Sequence, residues 1–439
     1  MKYLRAALAL LIAAPPLCAQ YGGPAVLTRG QAPAAMAASQ IDFRPFLSLT
    51  GGYEQGINGV GVDPNGQVFN VSSYTVEGTG GVSGVHSWRR TTVGLDYSIS
   101  LRHYPGHSFY DGFDQRMLLS VTHQFTRHAM FSLSTNAGIS TQNYYSQPLQ
   151  QTVAFDPSTT YVPTTDFFDN RTSYISTQAD LTVQKSTRVS YSMGGTAFAT
   201  RRRSEALYGV KGSGARGDIQ YRLTRRSTIG VGYNYAHYSF AHIFSSTDLH
   251  TFLGSYAIRL SRGAEFSAML GGSRYEAKFI QSVPVDPAIA ALIGISSLNQ
   301  ISYTKSWMAS GTGRLSYTMK RGIVFISGGR AVTPGNGLFL TSTTTSVNAG
   351  YTYTAMKRWS ASANAGYNRS TSIANITGDY ASYNASVNVS RQIARFTHGV
   401  LTFSARKYES PDFHSYNTWS YGVRLGLGFA PGDVPLRLW

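Results

Sequence analysis

The sequence predicts an all-β fold: a transmembrane, antiparallel up-and-down β-barrel of about eighteen strands, with roughly sixteen to twenty as the bracket. Three observations predict it. Apolar and polar residues alternate in segments of about ten residues from Ile41 to Phe429, the length a tilted strand needs to cross a bilayer. Short basic turns and longer loops alternate as connections throughout this region. After the first twenty or so residues, no stretch reaches the roughly 18 apolar residues that a spanning helix requires.

Residues 1–19 have the three parts of an export signal: basic Lys2 and Arg5, an apolar run from Ala6 to Ala14, and the exit Pro15-Pro16-Leu17-Cys18-Ala19, with cleavage expected after Ala19. Cys18 is the single cysteine of the chain, and the large Leu17 before it argues against lipidation. A mature chain without a thiol has neither a disulfide framework nor a cysteine metal site. Residues 20–40, rich in Gly, Pro and Ala and without a period, read as a flexible leader. They are far too short for the plug domain of an energised transporter.

The barrel is expected over residues 41–429. Val93, Leu95, Tyr97, Ile99 and Leu101 alternate with Gly94, Asp96, Ser98 and Ser100, so one face is apolar and the other is wet. The same pattern sets Ile175, Thr177, Ala179, Leu181 and Val183 against Ser176, Gln178, Asp180 and Thr182, and Tyr383, Ala385, Val387 and Val389 against Asn384, Ser386 and Asn388. A soluble sandwich alternates as well, so the connections decide. Eight tight turns carry basic residues, among them Ser87-Trp88-Arg89-Arg90, Lys185-Ser186-Thr187-Arg188 and Met319-Lys320-Arg321-Gly322. The intervening loops are mostly longer, notably Gln142 to Thr172 and Glu276 to Ser302, and this is the signature of short periplasmic turns and long external loops.

That placement accounts for much of the formal charge of +17, because nearly every short turn adds Lys or Arg to one rim. No basic helix, zinc-finger spacing or RNA-binding aromatic motif accompanies the charge, so nucleic acid is not an expected partner. Aromatics near strand ends (Tyr104, Phe125, Tyr221, Tyr235, Tyr317, Tyr353, Trp359 and Trp419) suit the bilayer interface. Residues 430–439 carry two prolines, make a poor strand and are expected to form a periplasmic tail.

Over Ile41 to Phe429 the chain resembles the broad class of bacterial outer-membrane β-barrel proteins, porins and porin-like channels among them. The likeness is architectural: the signal, the hairpin rhythm, and the last strand from Trp419 to Phe429. That strand looks like the aromatic-ended closing strand which barrel-assembly machinery recognises in this class. The resemblance implies an outer-membrane location, lipid and lipopolysaccharide as surroundings, and passive diffusion of small polar or anionic solutes. Two other readings stay open: an outer-membrane component of an export or surface-polysaccharide assembly system, and a closed structural or adhesive barrel.

On the polar face, Ser360, Ser362, Asn364, Asn384, Ser386, Asn388, Gly230, Gly232 and Asn234 describe an uncharged lumen wall. Charged candidates for the lumen are Arg102, Arg116, Arg259, Arg314, Arg330 and Arg424, opposed by Asp96 and Asp180. They either bias selectivity or form internal ion pairs that brace the barrel. In the loop Glu276 to Ser302, the run from Asp286 to Ile295 begins with an N-cap residue and Pro at the first helical position, so Ala288, Ile289, Leu292 and Ile293 are candidates for a short constriction helix. Asp63-Pro64-Asn65-Gly66 reads as a loop tip, and Arg201-Arg202-Arg203 as an external run able to meet lipopolysaccharide phosphates. Ala361, Ala363 and Ala365 on the apolar face offer a flat patch for a homo-oligomer. No Gly-x-Ser-x-Gly elbow, His-Glu-x-x-His or P-loop is present, and His103 and His123 fall in the apolar phase, so neither an enzyme nor a cofactor is expected.

Overall fold

The computed structural model describes residues 44–57, 61–62, 68–69, 71–141, 171–203, 207–284, 297–335, 340–356, 358–373, 379–394, 396–409 and 419–429. The expected signal, leader and C-terminal tail lie outside these residues, as do the Asp63–Gly66 turn and the candidate helix at residues 288–293. Eighteen long strands follow one another in a single closed sheet. They are β1 Arg44–Gln55, β2 Ser72–Ser87, β3 Thr91–His103, β4 Gly112–Gln124, β5 Ala129–Ser140, β6 Thr172–Gln184, β7 Val189–Arg202, β8 Val210–Arg222 and β9 Ser227–Phe240. Then come β10 Ser246–Arg259, β11 Ala264–Pro284, β12 Ser297–Met319, β13 Gly322–Thr333, β14 Ser342–Met356, β15 Trp359–Ser372, β16 Asp379–Ala394, β17 Thr397–Glu409 and β18 Trp419–Phe429. The first strand is described from Arg44, and residues 41–43, where the alternation begins, lie outside the described residues.

Each strand pairs antiparallel with its neighbours in sequence, and β1 closes on β18 from Leu47↔Phe429 to Glu54↔Gly422. Closure of β1 on β18 removes the two free edges that an open sheet would present to lipid. Phe429 is the last residue of the closing strand. Eight short turns lie at the rim where β1 begins and β18 ends, and the nine other connections lie at the opposite rim. Side-chain oxygens tighten several of the turns; Thr224 Oγ1, for example, accepts the N–H groups of Arg226 and Ser227 at 3.1 and 3.0 Å.

Strand period sorts the side chains. Leu49, on β1, and Leu425, opposite Gly51 across the seam, are 62% and 66% exposed on the outer wall. Val231, Leu270 and Trp307 are likewise exposed there. Core-forming residues on the outside of a closed barrel make a surface for lipid, because water would penalise that much contiguous apolar area. Among the described residues no helix is long and apolar enough to cross a membrane; strands make the crossing. Phe125, Tyr221, Tyr317, Trp359 and Trp419 are exposed near strand ends, as an interfacial girdle requires. Tyr104 departs from that expectation: it is fully buried, its hydroxyl turned inward.

The longest hairpin is β11–β12, paired without a break from Ala264↔Tyr317 to Pro284↔Ser297. The external loop expected from Glu276 to Ser302 is therefore much shorter, because alternation and pairing continue well beyond Glu276. The next strand behaves differently. β13 pairs with β12 only between Gly322↔Met319 and Arg330↔Gly311, and beyond Arg330 it stays paired with β14 alone.

Candidate functional site

Past Arg330, the end of the β13–β14 hairpin turns into the lumen. Val332 belongs to the outward phase of β13, yet it is buried with Leu340 in one apolar cluster with Val210, Ala236, Tyr238, Phe240 and Leu249, which are inward residues of β8, β9 and β10. A residue of outward phase meets inward residues of other strands only if its strand has left the wall. Polar contacts fix the same placement. The hydroxyls of Thr341 and Thr247 lie 2.7 Å apart and buried, Ile373 N–H donates to the Thr341 carbonyl at 3.0 Å, and Thr343 Oγ1 donates to Met308 Sδ at 3.6 Å. The described inward-folding segment lies between β13 and β14, whereas the constriction candidates Ala288, Ile289, Leu292 and Ile293 lie outside the described residues.

Two arcs of the lumen wall differ in character. The first is charged and straddles the seam. Arg102 on β3 donates from Nε to Glu77 Oε2 at 3.0 Å and from Nη2 to Asp114 Oδ2 at 3.1 Å. Arg424 on β18 donates from Nη1 to the same Glu77 oxygen at 2.9 Å and also binds Glu54 on β1. Tyr104 donates its hydroxyl to Glu54 Oε2 at 2.6 Å, and Asp114 Oδ1 accepts the Thr141 N–H at 2.7 Å. Burial and the Glu54 carboxylate hold the Tyr104 hydroxyl protonated far above its ordinary range. Glu54 and Arg102 are almost wholly withdrawn from solvent. Three carboxylates and two guanidiniums therefore pair across β18, β1, β2, β3 and β4, with one formal negative charge in excess. Opposite Arg424 stands Gly52, where a Cβ would sit 2.3 Å from the Val423 carbonyl oxygen and 2.8 Å from Arg424 Cγ, so only glycine lets the arginine lie along the wall there.

Of the predicted charged residues, Arg102 and Arg424 belong to this network. Asp96 and Arg116 face inward on neighbouring strands, close enough for Arg116 to act on the Asp96 charge. Asp180 is paired with Arg216 at 2.6 Å. Arg314 lies over the Phe325 ring, 5.0 Å from its centroid. Arg259 points inward but sits at the short-turn rim, half exposed and paired with Glu265 at 3.0 Å, so it lines the mouth rather than the middle. Arg330 is a correction. It shares the phase of exposed Val324 and Ile326 and faces outward, the pair Gly328-Gly329 having hidden the alternation before it. Glu54, Glu77 and Asp114 were missed. Strand parity alone puts each on the wet face, but their convergence depends on the pairing of the first strands with the last.

The second arc runs over β14, β15 and β16. Every inward position from Ser342 to Thr352, Ser360 to Ser372 and Ser382 to Gln392 is Ser, Thr, Asn, Gln or Gly. The predicted lumen residues Ser360, Ser362, Asn364, Asn384, Ser386 and Asn388 all lie here, and Gly230, Gly232 and Asn234 face inward on β9. Hydroxyls pair across strands, Ser360 with Ser390 at 2.6 Å and Thr344 with Ser370 at 3.2 Å, and Thr402 on β17 donates to Asn388 Oδ1 at 2.8 Å. The outer face of these strands carries an alanine patch between larger side chains such as Val347, Tyr351 and Val387. Ala349, Ala365, Ala385 and Ala405 lie in one row across four strands, beside Ala361 and Ala363. Among the described residues no cluster of three or more His, Cys, Asp or Glu is placed to hold a metal ion.

No family model matches this chain, and no curated protein matches it in sequence. Solved structures do match. OccK2 (OpdF) of Pseudomonas aeruginosa, solved in complex with glucuronate, aligns at 9% identity over 89% of this chain and 98% of that one, with a TM-score of 0.42. OccAB1 of Acinetobacter baumannii aligns at 12% identity over 89% and 97%, with a TM-score of 0.42. The ferric citrate transporter FecA, in its unliganded form, aligns at 11% identity over 84% of this chain and 60% of that one, with a TM-score of 0.41.

Proposed function

We propose that the chain is an outer-membrane channel through which small polar solutes diffuse passively. One observation carries the reading: the barrel is closed, apolar outside and polar inside, and eighteen strands enclose a lumen wide enough for water unless something fills it. The infolded β13–β14 segment is the constriction, standing across part of the lumen from β13 toward β9 and β10. The buried ion pairs at the seam are bracing that keeps the barrel shut on itself, and free diffusion asks no more of them. Lipid and lipopolysaccharide surround the outer wall in this reading, barrel-assembly machinery takes the closing strand that ends at Phe429, and the alanine rows supply a flat face for a second copy.

Planar-bilayer recording of the refolded protein tests the proposal. Steady unitary steps in KCl are expected, with larger steps after excision of residues 334–340. A correctly folded barrel with no conductance in either form overturns the channel and leaves the closed structural barrel or the export component.

A further inference from the structure

We infer that the β14–β16 arc is a recognition track for uncharged, polyhydroxylated solutes of sugar type, and that neutral polyols rather than anions are what this pore favours. The inference rests on the channel reading and names its substrate class. Two independent features of the wall point to it.

The first is how the donors and acceptors are matched. An anion is recognised by groups that only donate, such as arginine, and a cation by groups that only accept, such as carboxylates. A hydroxyl does both, and its natural partners are amides and other hydroxyls, which also do both. From Ser342 to Thr352, Ser360 to Ser372 and Ser382 to Gln392, three consecutive strands present only such groups and glycine to the lumen. The strong donors and acceptors that would attract ions lie on other strands, many of them bound to one another: Arg102 to Glu77 and Asp114, Arg424 to Glu54 and Glu77, and Arg216 to Asp180.

The second is a built notch at Gly366. This glycine lies in register between Asn348 and Asn384 on its two neighbouring strands. The point where its Cβ would sit is 2.7 Å from Asn348 Oδ1 and 2.6 Å from Asn384 Oδ1, so two side-chain amides converge over one residue without a side chain. One strand over, Asn364 Oδ1 stands 2.5 Å from the corresponding point of Gly350. Asn384 Oδ1, Asn368 Oδ1, Ser346 Oγ and Ser386 Oγ are each buried without a hydrogen-bond partner among the described residues. Buried polar atoms without partners are costly, and rotation of these amides and hydroxyls toward the lumen would offer them to a solute that carries its own hydroxyls. A wall needed only for packing would have been built from apolar or mutually paired groups.

Proteoliposome swelling tests this with galactose, galacturonate and galactosamine, three pyranoses of nearly one size that differ in charge, alongside KCl conductance of the same preparations. The expected result is galactose entry several-fold faster than that of either charged sugar. Asn384→Leu and, separately, Gly366→Ala are each expected to slow galactose several-fold while KCl conductance stays within twofold. Heat-modifiable gel migration verifies that both variants are folded. Galacturonate or galactosamine entering as fast as galactose overturns the inference, as does galactose entry that neither variant changes. Both results leave the channel standing if KCl still conducts. Absence of KCl conductance overturns the channel reading and the track with it.

Discussion

The seam arc and the β14–β16 arc face the same lumen and solve opposite problems. Across β18, β1, β2 and β3 the inward positions carry Glu54, Glu77, Arg102 and Arg424, brought together by closure and spent on one another. Across β14, β15 and β16 they are mainly Ser, Thr, Asn and Gly, several with side-chain atoms that have no hydrogen-bond partner among the described residues. Each arc also holds a glycine that admits a neighbour's side chain: Gly52 makes room for Arg424, and Gly366 for Asn348 and Asn384. The difference teaches that charge in a pore wall need not be selectivity. Where acids and bases are paired neighbours they act as fasteners, and the arc free of them offers a solute neutral amides and hydroxyls.

The contrast breaks first at Arg424. Arg424→Met leaves Glu54 and Glu77 without one of their partners in a withdrawn site, and is expected to cost about 3–5 kcal/mol of stability in urea unfolding from lipid vesicles. A loss under about 1 kcal/mol would show that the network does not fasten the seam. One residue on, Leu425→Arg places a charge on the lipid face and is expected to cost about 2–4 kcal/mol in the same assay. The adjacent pair thus separates inside from outside. The constriction comes next: Thr341→Val removes its hydrogen bond to Thr247 and is expected to weaken docking of the segment by about 1 kcal/mol, seen as more frequent current fluctuations in single-channel records. Smallest is Asn384→Leu, expected to change unfolding stability by less than about 1 kcal/mol because it severs no buried ion pair. A loss as large as that of Arg424→Met would erase the distinction between the arcs.

Period-2 alternation made the barrel legible in the sequence, down to the eight tight turns and the phases of Leu95, Leu181 and Val387. It also placed Ser360, Asn364 and Asn384 on the lumen face, because a strand of unbroken alternation leaves only one parity for each residue. What failed were features set by pairing between distant strands. Glu54 and Arg424 stand 370 residues apart, and nothing local says that they meet. Arg330 was given to the wrong face because two glycines precede it, and glycine carries no phase. The infolded segment escaped because Val332 keeps the outward parity of its strand, whereas the strand itself leaves the wall where its pairing with β12 stops.

The measurement that tests the account most directly is the reversal potential of single wild-type channels under a KCl gradient. If the lumen charges are fasteners and the path runs along the neutral arc, the reversal potential lies close to zero, with potassium and chloride permeabilities within about twofold of each other. A potential approaching the Nernst value for chloride or for potassium would mean that unpaired charge governs the path, and would contradict the division between the two arcs.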